Sequence, residues 1–204
     1  MSSPQHAQKQ TRPVLLLALL ISGLALTAGV TSTRWINTVF PGFFVLANNV
    51  VASVSLPHWS ISTQRQIYQQ VIVAVDGSPV GNSQDIYAAV ARLPEQTLHT
   101  YSTEKDGVTA TVTLPAQLFT FQDYVLVFGA YLFTGLAITA IGFVVWFLKP
   151  HVSASVALLS LSTALGLFFL TAVDLYGPYE FFRVHIMSEA FIGAGFVHLA
   201  LVFP

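Results

Sequence analysis

An apolar stretch at residues 13–30 contains no charged side chain, and three further apolar stretches follow it along the chain. A helix rises about 1.5 Å per residue, so about 20 apolar residues can cross the hydrocarbon core of a bilayer. The chain is 54% hydrophobic and 8% charged, whereas soluble domains carry about 25% charged residues. We predict an α-helical membrane protein with four transmembrane helices, at residues 13–31, 121–148, 152–173 and 184–204.

The first apolar stretch has a second interpretation. A secretory signal peptide also combines a basic start, an apolar stretch and small residues near its end, such as Ala28 and Gly29 here. The stretch is long for a signal peptide, and the later spans need a partner in the membrane. An uncleaved anchor is therefore favoured over a cleaved signal.

Basic residues close to the spans indicate the orientation of the chain. Lys9 and Arg12 belong to the polar segment 1–12 and have no acidic neighbour there, which favours a cytoplasmic N-terminal tail. Lys149 and His151 then lie in a cytoplasmic turn between the second and third spans, as alternating crossings require. The segment between the first two spans is therefore predicted to be extracytoplasmic.

That segment, residues 32–120, has the composition of a small soluble domain. The β-branched run at 71–75 stops at Asp76-Gly77-Ser78-Pro79, which is typical of a strand followed by a turn. Residues 108–114 alternate between apolar and threonine side chains, so we expect a strand with one buried and one solvated face. It follows a strand at 98–102, with a hairpin turn at 104–107.

One helix is predicted between these strands. Asn82 or Ser83 is its N-terminal cap, and Pro94 ends it. Apolar side chains recur at the spacing of one helix face, at Ile86, Ala89, Val90 and Leu93.

The order of these elements resembles a PDZ domain over residues 38–118. Phe40-Pro41-Gly42-Phe43-Phe44 is similar to the loop that binds a ligand carboxylate, and residues 73–80 are similar to the strand and turn before the groove helix. The Gly-Asp pair that usually precedes the central strand is absent, with Gln69-Gln70 near its place. The resemblance implies a peptide-binding groove. Its edges would be Pro41, Gly42, Phe43, Phe44, Val45 and Leu46 on the strand, and Gln84, Asp85 and Ala88 on the helix.

The groove has alternative interpretations: the protein's own side chains fill it, or it serves contacts between two copies in a dimer. Binding of a ligand other than a peptide or protein is the third interpretation. Backbone amides near Gly42 would receive the carboxylate of a peptide.

The layout of the whole chain resembles the input region of bacterial sensor histidine kinases of the peptide-pheromone-sensor type. In that family an anchor helix precedes a PDZ-like extracytoplasmic domain and a bundle of helices. The segments 114–120, 171–175 and 198–204 are similar to the family's pattern around its second to fourth helices. The resemblance implies further helices and a cytoplasmic output domain after Pro204, so we expect this chain to be a fragment with a truncated last span.

Motifs for catalysis and cofactor binding are missing from the sequence. There is no His-Glu-x-x-His zinc motif, no Gly-x-Ser-x-Gly nucleophile turn and no glycine-rich phosphate loop. The chain has no cysteine, and its net charge of -1 lacks the basic excess that nucleic acid binding requires. We expect no catalytic residue, metal or cofactor.

Ionisable side chains within spans are costly and often functional. Glu189 is the main candidate for an intramembrane signalling group, with Asp174, His185 and His198 as possible companions or interfacial residues. His185 and His198 are 13 residues apart on one helix and face nearly opposite sides, which disfavours haem ligation. Glycines in the spans are expected at close helix contacts. These are Gly129, Gly135, Gly142, Gly193 and Gly195.

The function predicted from these features is a membrane-embedded sensory input module of a two-component system in a bacterial inner membrane. Its partners would be an extracytoplasmic peptide or protein ligand and the lipid bilayer, with a homodimer expected if it is a sensor kinase. The alternative is a non-signalling scaffold or chaperone-like protein that presents the domain to periplasmic clients. A transporter is disfavoured, because the spans contain few polar residues.

Overall fold

The computed structural model describes residues 4–64 and 67–203, with side chains from Arg12 onward. The first residues of the predicted tail, the side chain of Lys9, and Pro204 at the end of the predicted fourth span lie outside this description. Within the described chain the residues form two compact units. The helical unit contains the residues up to Ser32, Gly129–Val173 and those from Phe181 onward; the β-rich unit contains Thr33–Phe128 and Asp174–Glu180.

Four helices in the described part of the chain are long and apolar enough to cross a membrane. They are Arg12–Trp35, Phe121–Leu148, Ser153–Ala172 and Phe182–Val202, hereafter the first to fourth spans. The predicted multi-pass membrane fold, with a small β region after the first span, is thus confirmed. The first helix, α1, runs Pro4–Ser32, so helical structure begins within the segment predicted as a tail.

The second span is not a continuous α-helix. It begins with α3 (Phe121–Tyr124), continues as a π-helical segment at Val125–Gly129, and becomes α4 at Ala130–Leu148. The third and fourth spans are α5 (Ser153–Ala172) and α6 (Phe182–Val202).

Small residues allow α4 and α5 to approach closely. A Cβ atom built on Gly135 would lie 2.9 Å from the carbonyl oxygen of Gly166 and 3.0 Å from the backbone nitrogen of Leu170. A Cβ on Gly142 would lie 2.6 Å from the Cβ of Ser162. Helices in lipid gain no hydrophobic driving force from associating with one another. Their association depends on van der Waals packing, which close approach of the backbones improves. The predicted role of glycine is confirmed at these two positions and at Gly195, where a Cβ would lie 3.2 Å from Cα of Leu161. It is wrong at Gly193, where a Cβ would have nothing within 4 Å.

Gly135→Ala is expected to destabilise the helical unit by about 1–3 kcal/mol, because the added methyl group meets the backbone of α5. The matched control is Gly193→Ala in α6, where an added Cβ has nothing within 4 Å. The control should be neutral or slightly stabilising, because alanine favours helix over glycine. Thermal unfolding of both purified variants in detergent tests this, and equal midpoints would contradict the packing argument.

The β-rich unit contains antiparallel strands and the helix α2, together with the start of the second span. β1 pairs with β6, and the remaining strands of the described chain form a sheet in the order β3-β2-β4-β5. The elements are β1 Thr38–Phe40, β2 Val71–Val75, β3 Ser78–Pro79, α2 Ser83–Ala91, β4 Leu98–Lys105, β5 Val108–Pro115 and β6 Gln117–Phe119.

Two tight turns follow directly from the sequence. Asp76-Gly77 joins β2 to β3, and Asp106-Gly107 joins β4 to β5. All four residues have positive φ, at 50° and 78° in the first turn and 51° and 77° in the second. Asp-Gly tolerates this conformation better than most dipeptides, and the resulting turn matches the twist of the strands it connects.

The predicted helix begins where its cap signals place it. The Asn82 side chain accepts hydrogen bonds from the backbone N–H groups of Gln84 and Asp85, and the Asp85 carboxylate accepts one in return from the Asn82 backbone. This reciprocal capping box satisfies amides at the start of α2 that have no partner within the helix.

The prediction of a buried apolar face along β5 is wrong for most of the strand. Val108 is 69% exposed and Ala110 is also exposed, whereas Leu114 is buried. β5 is the edge strand of its sheet, and its first half is not covered by other parts of the described chain.

An aromatic cluster forms the core of the β-rich unit. Phe44 lies at its centre, with its ring stacked on Tyr176 at a centroid distance of 4.2 Å and on Phe128 at 5.6 Å. The other members are Trp35, Phe40, Trp59 and Phe119. Tyr176 belongs to Asp174–Glu180, hereafter the connector, which lies in sequence between the third and fourth spans.

Candidate functional site

The segment predicted to bind a ligand carboxylate lies in the core of the β-rich unit. Residues 41–45 are all buried, while Leu46 is half-buried. Gly42 has a φ of +78°, and a Cβ there would lie 2.0 Å from Oγ of Ser60. In this conformation a ligand carboxylate has no access to the backbone of the segment.

The side chain of Tyr87 in α2 forms hydrogen bonds with the backbone groups that a peptide would use at this segment. Its hydroxyl accepts a hydrogen bond from the Val45 backbone N–H at 2.7 Å and donates one to the Val45 carbonyl oxygen at 3.2 Å. Burial raises the pKa of the Tyr87 hydroxyl well above its ordinary range, so the group stays protonated and able to donate. The protein's own side chain therefore fills the space between residue 45 and α2.

The predicted groove residues on α2 divide into two roles. The Asp85 carboxylate also accepts a hydrogen bond from the Gly81 backbone N–H at 3.0 Å, as part of the helix cap. Gln84 and Ala88 instead line an open cleft of about 330 Å³. Two of the predicted groove residues therefore lie in this cleft, but they lie beside β1 and not beside residues 41–46.

The cleft lies between β1, α2 and the connector. In the described part of the chain β1 has β6 as its only strand neighbour, and Thr38 and Val39 of β1 line the cleft. The edge of β1 opposite β6 is thus not covered by another strand. The full set of lining residues is Arg34, Trp35, Thr38, Val39, Gln84, Tyr87, Ala88, Ala91, Tyr176, Gly177 and Pro178.

The walls of the cleft are mainly apolar, with one cationic group. Ala88 and Ala91 are one turn apart on α2, and their small side chains leave the space open. Trp35 forms part of the opposite wall and contacts the Tyr87 ring edge-on, with a centroid distance of 5.0 Å. The Arg34 guanidinium lies 3.9 Å from the Glu180 carboxylate, with both side chains about half exposed. A chain in this cleft would meet apolar walls and a positive charge.

His185 links the third and fourth spans within the helical unit. Thr171 Oγ1 donates to the carbonyl oxygen of Leu167 at 2.7 Å and also forms a hydrogen bond of 3.0 Å with Nδ1 of His185. The imidazole ring stacks on Phe168 with a centroid distance of 4.4 Å. The buried histidine therefore ties α5 to α6 near the end of each helix that leads to the connector.

The other predicted intramembrane polar residues do not join this site. Glu189 and His198 are exposed on α6, whereas Asp174 belongs to the connector. Asp174 Oδ1 accepts a hydrogen bond from the backbone N–H of Tyr179 at 3.1 Å. Within residues 4–64 and 67–203, no group of three or more His, Asp or Glu side chains could hold a metal ion.

Asp123 is a buried carboxylate that the sequence argument missed. It accepts hydrogen bonds from Trp59 Nε1 at 3.0 Å and from the backbone N–H and hydroxyl of Thr120, both at 2.7 Å. His58 Nε2 also lies 2.7 Å away. The signal was present as Thr120-x-x-Asp123 before an apolar run, which is a capping-box pattern. These bonds connect the start of the second span to the aromatic cluster.

A scan against protein-family models finds no match for this chain, and a search of curated proteins finds none either. Its function therefore has to follow from the chemistry of the cleft and of the segments around it.

Tyr87→Phe is expected to destabilise the β-rich unit by about 1–3 kcal/mol, because it leaves the buried Val45 N–H without its hydrogen-bond partner. The control is Tyr68→Phe, which removes a hydroxyl bonded to Oγ of half-buried Ser55 and should cost about 1 kcal/mol or less. Chemical unfolding of the full chain, followed by tryptophan fluorescence, measures both. Equal costs would contradict a specific role for Tyr87 at residue 45.

Proposed function

We propose that this chain is the sensory input region of a bacterial membrane signalling protein of the sensor-kinase type, and that it detects an extracytoplasmic peptide. The observation that supports this proposal best is the set of elements that form the walls of the cleft. One wall is a strand edge, the second is a helix, and the third is the connector between the third and fourth spans. The basic residues near the first span favour a cytoplasmic N-terminus, which would place the β-rich unit outside.

An extended peptide is the ligand that the cleft fits best. The edge of β1 opposite β6 has no strand neighbour in the described chain, and its backbone groups are ones to which a peptide can add as an extra strand. The nine residues of α2 extend for about 13 Å, which matches about four residues of an extended chain at about 3.3 Å each. An apolar side chain would enter between Ala88 and Ala91, and an acidic group would compete with Glu180 for Arg34.

This site differs from the groove implied by the PDZ resemblance, because it uses β1 instead of residues 42–46. The position of the connector favours sensing over a passive scaffold, since a scaffold has no need for ligand contact with a segment that leads into two spans. We propose no catalysis by this chain itself. If the output is a kinase, the working assembly is expected to be a homodimer.

The test is a selection from a phage library of random heptapeptides against the full chain in nanodiscs. Enriched peptides should bind the unmodified chain and lose at least tenfold in affinity on Ala88→Trp, which fills the cleft. The control is Leu93→Trp, an apolar side chain that is 46% exposed and does not line the cleft. It should leave binding unchanged.

The proposal fails if no peptide is enriched over empty nanodiscs. It fails equally if enriched peptides bind Ala88→Trp as tightly as the unmodified chain, since their site is then elsewhere.

A further inference from the structure

We propose that the connector is the element that reads the occupancy of the cleft and passes it to the third and fourth spans. This inference rests on the proposed ligand cleft and concerns its regulation. The proposal selects the connector over two other segments that could carry the signal, because the β-rich unit is also joined in sequence to the first and second spans.

The connector contacts α2 at two points. The Tyr179 hydroxyl forms a short hydrogen bond with the hydroxyl of Ser83, the first residue of α2. Gly177 packs against the side chain of Gln84, since a Cβ built on Gly177 would lie 2.3 Å from its Nε2. Gln84 and Gly177 both line the cleft. A ligand that displaces α2 therefore acts directly on the connector.

The backbone of the connector is strained where it meets α2. Tyr179 has a φ of +71°, a left-handed conformation that is unfavourable for a bulky side chain. Two hydrogen bonds hold it there, one from its backbone N–H to Asp174 and one between its hydroxyl and Ser83. When movement of α2 weakens the second bond, the strained conformation loses part of its support. Strain of this kind is characteristic of switch segments.

The chain that joins the connector to the third and fourth spans is very short on both sides. α5 ends at Ala172 and α6 begins at Phe182, so one residue separates the connector from each helix. A displacement of the connector must therefore reach the ends of both helices. The hydrogen bond between His185 and Thr171 joins α5 to α6 at this end, so the two spans should respond as a pair.

The first span is a weaker route, although Trp35 follows α1 closely and lines the cleft. The Trp35 ring is held by Phe44, Tyr87, Phe119 and Phe128, at centroid distances of 5.0–6.2 Å. Only Tyr87 among these rings belongs to α2, and the other three belong to the core and oppose a displacement of Trp35 when α2 moves. The second span is likewise held by the buried hydrogen bonds of Asp123.

The chain contains no cysteine, so single cysteines can be introduced and spin-labelled in the full protein in nanodiscs. Suitable exposed positions are Leu19 in the first span, Phe133 in the second and Met187 in the fourth. Ala88→Trp fills the cleft without a ligand, and Ala91→Phe is an independent second filler. Each variant is first checked for an unchanged circular dichroism spectrum and a cooperative thermal transition. Leu93→Trp is the matched control outside the cleft.

We expect either cleft-filling variant to change the mobility of the label at Met187→Cys and to leave the labels at Leu19→Cys and Phe133→Cys unchanged. Adding Tyr179→Phe, which removes the hydroxyl bonded to Ser83, should abolish the change at position 187. Leu93→Trp should have no effect at any position.

The relay is overturned if the folded fillers leave the label at position 187 unchanged, or if the first or second span responds instead. It is also overturned if the change at position 187 persists with Tyr179→Phe. Since the fillers need no ligand, these outcomes are independent of the peptide selection. Failure of the relay with successful selection would leave the binding proposal standing, and the reverse result would leave the coupling standing without its proposed ligand.

Discussion

The stack of Phe44 on Tyr176 is the interaction on which the β-rich unit most depends. The two rings are nearly parallel, at 8°, with centroids 4.2 Å apart, and both side chains are buried. Such a pair is worth about 0.5–1.5 kcal/mol beyond the burial of its apolar area. Its larger consequence is topological, because it fixes the connector, which is distant in sequence, to the core built by residues 33–128. The third wall of the cleft exists because this stack forms.

Buried polar groups fix further elements, both in the β-rich unit and in the helical unit. Asp123 satisfies its carboxylate with Trp59 and Thr120 at the start of the second span. In the helical unit, His185 and Thr171 satisfy each other between α5 and α6. Buried groups of this kind are costly to leave without partners. They therefore specify one arrangement of the elements that carry them, while the cleft beside α2 keeps the open space that a ligand requires.

Local patterns were sufficient to predict much of this fold. Uninterrupted apolar runs predict the membrane spans, Asn82 or Ser83 predicts the start of α2, and Asp106-Gly107 predicts the hairpin turn. These signals act over a few residues, so tertiary contacts need not be known. Burial is less accessible: Val108 is apolar and exposed, and Pro41-Gly42-Phe43-Phe44 has the same letters whether it forms a ligand loop or a core segment.

The candidate site could be predicted only in part for the same reason. Gln84 and Ala88 follow from the helix, but the connector wall depends on contacts such as Ser83 with Tyr179, which are 96 residues apart. No local pattern in Asp174–Glu180 indicates that this segment packs with residues so distant in the sequence. Asp123 is the opposite case. Its capping-box spacing is present in the sequence, whereas its partners Trp59 and His58 could not be predicted from it.

Hydrogen exchange of the full chain in nanodiscs, read by mass spectrometry, tests the central claim that the connector is part of the β-rich unit. The account predicts that the amides of Gly177 and Tyr179 are protected together with those of β2 and β4, and that Tyr176→Ala removes protection from the connector first. Exchange of the connector at the rate of an unfolded peptide, while β2 and β4 remain protected, would contradict it.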